Sequence, residues 1–218
     1  MNAGNAPAAT AHRGARRRLL GVALLGLLAL TGASPLGASA RAGDLSNRSK
    51  VARRKALFIE QFTRYIDWPA DAMPKQGPFI LCIEGASDTG NELTSLASAR
   101  KFKERQVEVR RPRLSAELGA CHVVYVAGSE AARLGDVLTA ITGKPILTVS
   151  DTNGFVERGV HLNLFEQVRS SPAEGLYVGY ELNVSAVKHS VLTFDPQLLN
   201  QGRRVDVSTG SGLGKPGQ

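Results

Sequence analysis

Short apolar runs separated by helical stretches limit what this chain can fold into more than any other feature. Phe79 to Glu84, His122 to Ala127 and Ile146 to Val149 are strand-length and apolar, Gln106 to Arg110 is a fourth such piece, and amphipathic stretches lie near Asn91 to Ala97 and from Ser129 to Thr142. Strands that alternate with helices predict an α/β fold, a single domain with a mostly parallel central sheet and flanking helices. The run Ile146-Leu147-Thr148-Val149 is apolar enough to be buried on both faces, as strands of such sheets are. Upstream, Val51, Leu57, Phe58, Phe62, Tyr65 and Ile66 recur at three- and four-residue steps, which predicts a helix from Ser49 to Ile66 with one apolar face. Trp68-Pro69 ends it, because a residue before proline is pushed to extended backbone. After Asp151 the pattern changes. VHLNLFEQVR and GLYVGYELNV show two-residue alternation and are joined by the turn-rich link Ser170 to Glu174, which predicts a C-terminal β-hairpin closing one side of the sheet. Helices from Asn183 to Leu192 and from Pro196 to Gly202 complete the domain.

The N-terminus sets the compartment. Arg16, Arg17 and Arg18 precede the apolar stretch Leu19 to Leu30, and Ala38-Ser39-Ala40 fits a signal-peptidase site. Twelve apolar residues fall well short of the ~20 that span a bilayer, so residues 1 to 40 are expected to be a removable export signal with no direct membrane insertion afterwards. The arginines also loosely fit a twin-arginine pattern, but nothing here calls for cytoplasmic folding, and export of an unfolded chain is favoured. The remaining organisation reads as a linker over residues 41 to 50, the domain over 51 to 206 and a disordered tail over 207 to 218.

Removing the signal changes the charge argument. The whole chain carries 27 basic and 19 acidic side chains, a net charge of +8, but Arg13, Arg16, Arg17 and Arg18 leave with the signal and no acid does, so +4 remains. The residual basic patches, Arg53-Arg54-Lys55, Arg110-Arg111-Pro112-Arg113 and Arg203-Arg204, lack the interleaved aromatics of a nucleic-acid surface and read as solvated faces, with an electrostatically attracted partner as the alternative.

Cys82 and Cys121 are the only cysteines. An even count in an exported chain argues for a bridge, and Cys82 lies in one strand-like run while Cys121 immediately precedes another. If those strands are sheet neighbours, the two Cα atoms fall within the ~4.4 to 6.8 Å a disulfide requires.

The chemical motifs are sparse. CIEGASDTGNEL, Cys82 to Leu93, superficially resembles a phosphate-binding loop, but Asn91 and Glu92 stand where a lysine and a hydroxyl are needed, so Gly85 and Gly90 are assigned to turn geometry and helix packing, and no nucleotide cofactor is expected. The glycines of Gly210 to Gly214 have no helix after them and read as linker. His122, His161 and His189 are scattered without metal-ligand spacing and read as structural. Ser150-Asp151 lies where a parallel strand ends, the usual ligand edge of an α/β sheet; without a nucleophile elbow it is no hydrolytic site, and Asp151 is weighed as a binding residue against a simple turn-stabilising role for Thr152-Asn153-Gly154. Phe62, Tyr65 and Trp68 have the spacing of core residues, yet Trp68 at a helix exit beside a proline could serve as an anchor for another protein.

Taken in order, IEQFTRYIDWP (Ile59 to Pro69), FILCIEG, EVRRPRLSAELGACHVVYVAGSE, GKPILTVSDTNGFVERGVHLNL and YELNVSAVKHSVL resemble the YfiR-like periplasmic proteins over about 150 residues, Ala56 to Val205. The resemblance implies a secreted, non-catalytic α/β domain, often a homodimer, that binds and represses the periplasmic sensor region of an inner-membrane diguanylate cyclase and so restrains cyclic-di-GMP signalling and biofilm formation. It matches Cys82 and Cys121 to a family disulfide, and Trp68-Pro69 and Ser150-Asp151 to motif positions without assigned roles. This chain lacks a second cysteine pair found in some relatives, and Thr193-Phe194-Asp195-Pro196 replaces a serine-rich stretch. A periplasmic small-ligand binding protein using the sheet edge near Asp151 is the competing expectation.

Overall fold

The computed structural model describes residues 36–73, 76–168 and 176–207. Helix α1 (Leu36–Phe62) is followed by a 3-10 turn (Thr63–Tyr65) and strand β1 (Ile66–Asp67). Then come β2 (Phe79–Glu84), α2 (Asp88–Ala99), β3 (Val107–Arg110), β4 (Val123–Val126), α3 (Leu134–Ile141), β5 (Leu147–Ser150), β6 (Leu162–Val168), β7 (Leu176–Asn183), α4 (Val184–His189), β8 (Thr193–Phe194), α5 (Pro196–Gln201) and β9 (Arg203–Val205). Seven strands form one sheet in the order β3-β2-β4-β5-β6-β7-β9, and β1 pairs with β8 in a separate antiparallel ribbon. From β3 to β6 the pairings are parallel, β6 and β7 form an antiparallel hairpin, and β9 joins β7 in parallel.

The apolar runs that predicted the sheet are its central strands. Side chains alternate between faces. Phe79, Leu81 and Ile83 of β2, Val123 and Tyr125 of β4, and Leu147 and Val149 of β5 enter one core with Ile59 and Phe62 of α1. Cys82, Val124 and Val126 enter a second core on the opposite face with Leu134, Val137 and Ile141 of α3. Cys82 and Cys121 are bridged, with Cα atoms 5.9 Å apart. The neighbouring β2 and β4, in register at Leu81 and Val123, bring them together. A loop of this length contributes about 4 kcal/mol by the chain-entropy estimate.

Several boundaries differ from the sequence expectations. The α-helix ends at Phe62, four residues early, because a 3-10 turn and β1 carry the chain on to Trp68. Residues 41–50, read as a linker, are helical and continuous with α1, since each residue added to a formed helix gains a backbone bond without a new nucleation cost. The helix expected over Ser129 to Thr142 is a 3-10 turn at Gly128–Glu130 followed by the shorter α3. The expected signal up to residue 35, the hairpin link Ser170 to Glu174, and the expected tail from Ser208, with its glycine cluster, lie outside the described residues.

Candidate functional site

Parallel strands β2, β4 and β5 end at one edge of the sheet, with Glu84, Val126 and Ser150, and α2 begins there. Ser87 caps α2, its hydroxyl oxygen accepting from Gly90 N. This uses an amide that the phosphate-loop reading would have needed. Gly85 adopts φ +80°, and a Cβ there would collide with Ser129 Oγ, so its glycine is explained by turn geometry.

Asp151, the residue after β5, collects donors from three other elements. Tyr125 Oη of β4 donates to Oδ1 at 2.7 Å, Thr89 Oγ1 of α2 donates to Oδ2 at 2.8 Å, and Lys55 Nζ of α1 donates to the same oxygen at 3.2 Å. Because Tyr125 gives its proton to Asp151, Ser87 donates to Tyr125 Oη at 2.9 Å, which completes a chain from the α2 cap to the carboxylate. Burial first, and the Asp151 charge second, drive the Tyr125 pKa far above the ordinary phenol range, so the hydroxyl remains a donor. Lys55 also pairs with Glu166 of β6 at 2.9 Å. The Lys55 and Asp151 side chains are only 10% and 14% exposed, and together with Glu166, Arg48 and Thr89 they line a cleft of about 510 Å³. The carboxylate's oxygens are occupied by neutral donors and one ammonium, an arrangement that ties α1 and α2 to the sheet edge rather than one poised for proton transfer. The turn after β5 is held by Ser150, whose Oγ accepts from Thr152 N and donates to Val126 O.

The aromatic candidates separate. Phe62 is buried, edge-on to Tyr180, with centroids 4.8 Å apart. Trp68 is also buried, its Nε1 donating to His122 O at 3.2 Å and its ring lying edge-on to Phe79 with Lys103 over its face. Both rings belong to the core, as their spacing suggested, and the Trp68 indole, weighed as an anchor, is packed with its polar atom satisfied. Tyr65 is 41% exposed. It borders a shallow groove with Phe58, Tyr180 and Gln197 in which no described lining residue is charged.

Two histidines cap strand starts at the opposite edge. His122 Nδ1 accepts from Ile80 N at 2.8 Å and its Nε2–H donates to Ala72 O at 3.1 Å, which fixes the neutral tautomer; burial lowers its pKa. His161 accepts from Thr148 in the same manner. Among the described residues no cluster of His, Cys, Asp or Glu is placed to hold a metal ion. On the second face Glu84 Oε1 is buried without a partner among the described residues, and desolvation raises the pKa of its carboxyl.

Sequence reasoning missed Lys55, Ser87, Thr89, Tyr125 and Glu166. One signal was available: Lys55 falls four residues after Val51 and four before Ile59, inside the apolar stripe of α1, a position a solvated lysine does not take.

Among solved structures, a conserved domain protein from Vibrio cholerae is 12% identical at a TM-score of 0.47, the match covering 71% of this chain and 60% of that one. Among curated proteins no significant relative is found. The YfiR/HmsC-like family model matches residues 52–203, from the buried turn of α1 that carries Lys55 to the first residue of β9, and the chain belongs to the YfiR/HmsC-like family.

Proposed function

We propose that the mature protein is a periplasmic regulator that binds the periplasmic sensor region of an inner-membrane diguanylate cyclase and holds the enzyme in its inactive state, restraining cyclic-di-GMP signalling. Family membership over residues 52–203 is the observation that supports this reading. The export signal expected over residues 1 to 40 agrees with it, and among the described residues no helix is long and apolar enough to cross a membrane. A repressor of this kind needs no catalytic group. By binding one conformation of the sensor better than the other it shifts the population, and about 1.4 kcal/mol of differential affinity changes the ratio tenfold.

Tyr65 is the residue of the aromatic set available for contact, since Phe62 and Trp68 are committed to the core. A half-exposed ring beside an uncharged groove fits the anchors that dominate protein interfaces. The competing reading, a small-ligand protein with its site at Asp151, has less support because that carboxylate's oxygens are already taken by Lys55, Thr89 and Tyr125.

Deleting the gene and measuring cyclic-di-GMP tests the proposal. A rise that vanishes when the partner cyclase is also deleted is expected; an unchanged level with both proteins expressed refutes repression. Complementation with Tyr65→Ala, folded by circular dichroism, is expected to restore repression only partly.

A further inference from the structure

Where α3 and α4 end, the second face of the sheet opens into a pocket of about 290 Å³, bounded by Leu138 and Ile141 of α3, Ile146 and Ala186 of α4. Its polar floor is His161, in the turn before β6. The Thr148 hydroxyl accepts from His161 N at 2.8 Å and gives its own proton to His161 Nδ1 at 2.7 Å; Nδ1 also takes Thr148 N–H at 3.2 Å. With Nδ1 so engaged, the ring proton of the neutral imidazole resides on Nε2. Burial holds the imidazole pKa down to about 4, so this donor is present and uncharged throughout the neutral range. Among the described residues none accepts it.

Lys144 and Arg158 border the same pocket, and no carboxylate is among the described residues that line it. Glu157 is found in an adjoining shallower depression. Part of this positive charge has an ordinary explanation, because Lys144 follows the end of α3, where a cation offsets the helix dipole. Arg158 moreover donates to Ala131 O. Neither role accounts for His161, whose Nε2–H belongs to no helix end and meets no acceptor. His161 is half-buried and its Nε2–H opens onto the pocket, where solvent reaches it, and a donor flanked by cations with no acid favours an anionic acceptor in place of that water.

We propose that this pocket binds a small monocarboxylate with an apolar body, its carboxylate accepting from His161 Nε2–H in the field of Lys144 and Arg158 and its hydrocarbon lying between Leu138, Ile141 and Ile146. At about 30 Å³ per water-sized group the volume suits roughly ten non-hydrogen atoms, at the small end of ligand sites. Amino acids fit poorly, since an α-ammonium would find no lining carboxylate. The assignment stands apart from cyclase repression and from the Asp151 cleft, which lies at the other edge of the sheet.

The test titrates the mature protein with octanoate and 3-phenylpropanoate, with the matching neutral amides, and with octylamine, by calorimetry and by following the imidazole Nε2–H resonance of His161. Saturable carboxylate binding that shifts this resonance is expected, with the amides at least tenfold weaker and the amine silent. Ala186→Phe, which fills the pocket from the half-buried side of α4, is expected to abolish binding with the circular dichroism spectrum retained. Lys144→Met is expected to weaken the carboxylates several-fold while leaving the amides unchanged. No saturable binding by either carboxylate, equal binding of octanoate and octylamine, or full binding by Ala186→Phe overturns the proposal.

Discussion

The two edges of the parallel sheet are finished by different chemistry. At the carboxyl ends of the strands, the Lys55 ammonium is shared between the Asp151 and Glu166 carboxylates, with Tyr125 and Thr89 donating to the remaining positions on Asp151. At the amino ends the strand starts are satisfied by two neutral imidazoles, His122 and His161, and a covalent bridge between Cys82 and Cys121 stands nearby. One edge holds its buried carboxylate with donors from inside the domain; the other satisfies its strand starts with neutral imidazoles and leaves His161 Nε2–H open. A buried charge that finds its counter-charge inside the domain is a structural device, whereas an unmatched donor beside apolar walls is what an external ligand would recognise.

The comparison can be broken from either side. Replacing both cysteines with alanine removes the cross-link of the neutral edge and is expected to lower the unfolding free energy by about 4 kcal/mol in urea titrations; a loss under 1 kcal/mol would mean that the denatured chain is already restrained. Next in size is Lys55→Met, which keeps most of the apolar stem and deletes the charge. With Asp151 left buried and without its cation, about 3 kcal/mol should be lost, and a near-neutral result would show that the cleft hydrates freely enough to dissolve the clamp.

Acid should act on the imidazoles at the amino ends of the strands. His161 has its pKa lowered from 6.5 to about 4, so its contribution to stability is complete above pH 6.5, where the unfolded imidazole is also neutral, and is lost as pH falls from 6.5 towards 4, where the unfolded chain takes up the proton first. The shift corresponds to about 3 kcal/mol over that window. His122 acts in the same direction, and Glu84, whose pKa is raised, acts in the opposite one. His161→Gln, which keeps an acceptor for Thr148 N–H but does not titrate, should flatten the pH profile of stability; an unchanged profile would contradict neutral burial of this ring.

What the sequence made legible follows from periodicity. The central strands, the hairpin and the apolar face of α1 each place several residues in a pattern that only one kind of element satisfies. The cysteine pairing was legible for a related reason, since two strand-like runs held one cysteine each. Strands β1, β8 and β9, of two or three residues, are too short to carry a period, and Arg203 of β9 read only as part of a basic patch although it pairs with the buried Glu181 of β7. The Asp151 clamp was half visible. Its carboxylate lay at the expected edge, but Lys55 was grouped with Arg53 and Arg54 as surface charge. Helical pitch separates them: Lys55 is buried, and Arg53 and Arg54 are exposed. Thr89 and Tyr125 meet Asp151 only through crossovers of 62 and 26 residues, a distance over which local pattern says nothing.

The smallest expected effect separates bonding from packing within the ionic edge. Thr89 is buried, and its hydroxyl gives one of the three bonds to Asp151, so Thr89→Val, which keeps the branched shape, should cost about 1 kcal/mol through the lost donor. Thr89→Ser keeps the donor and deletes the methyl group. If hydrogen bonding to the carboxylate is what ties α2 to the sheet edge, the serine variant stays within about 0.5 kcal/mol of the parent in urea titration while the valine variant does not. The reverse order would mean that α2 is held by the packing of its buried face, and that the charged cluster is aligned by the fold instead of aligning it.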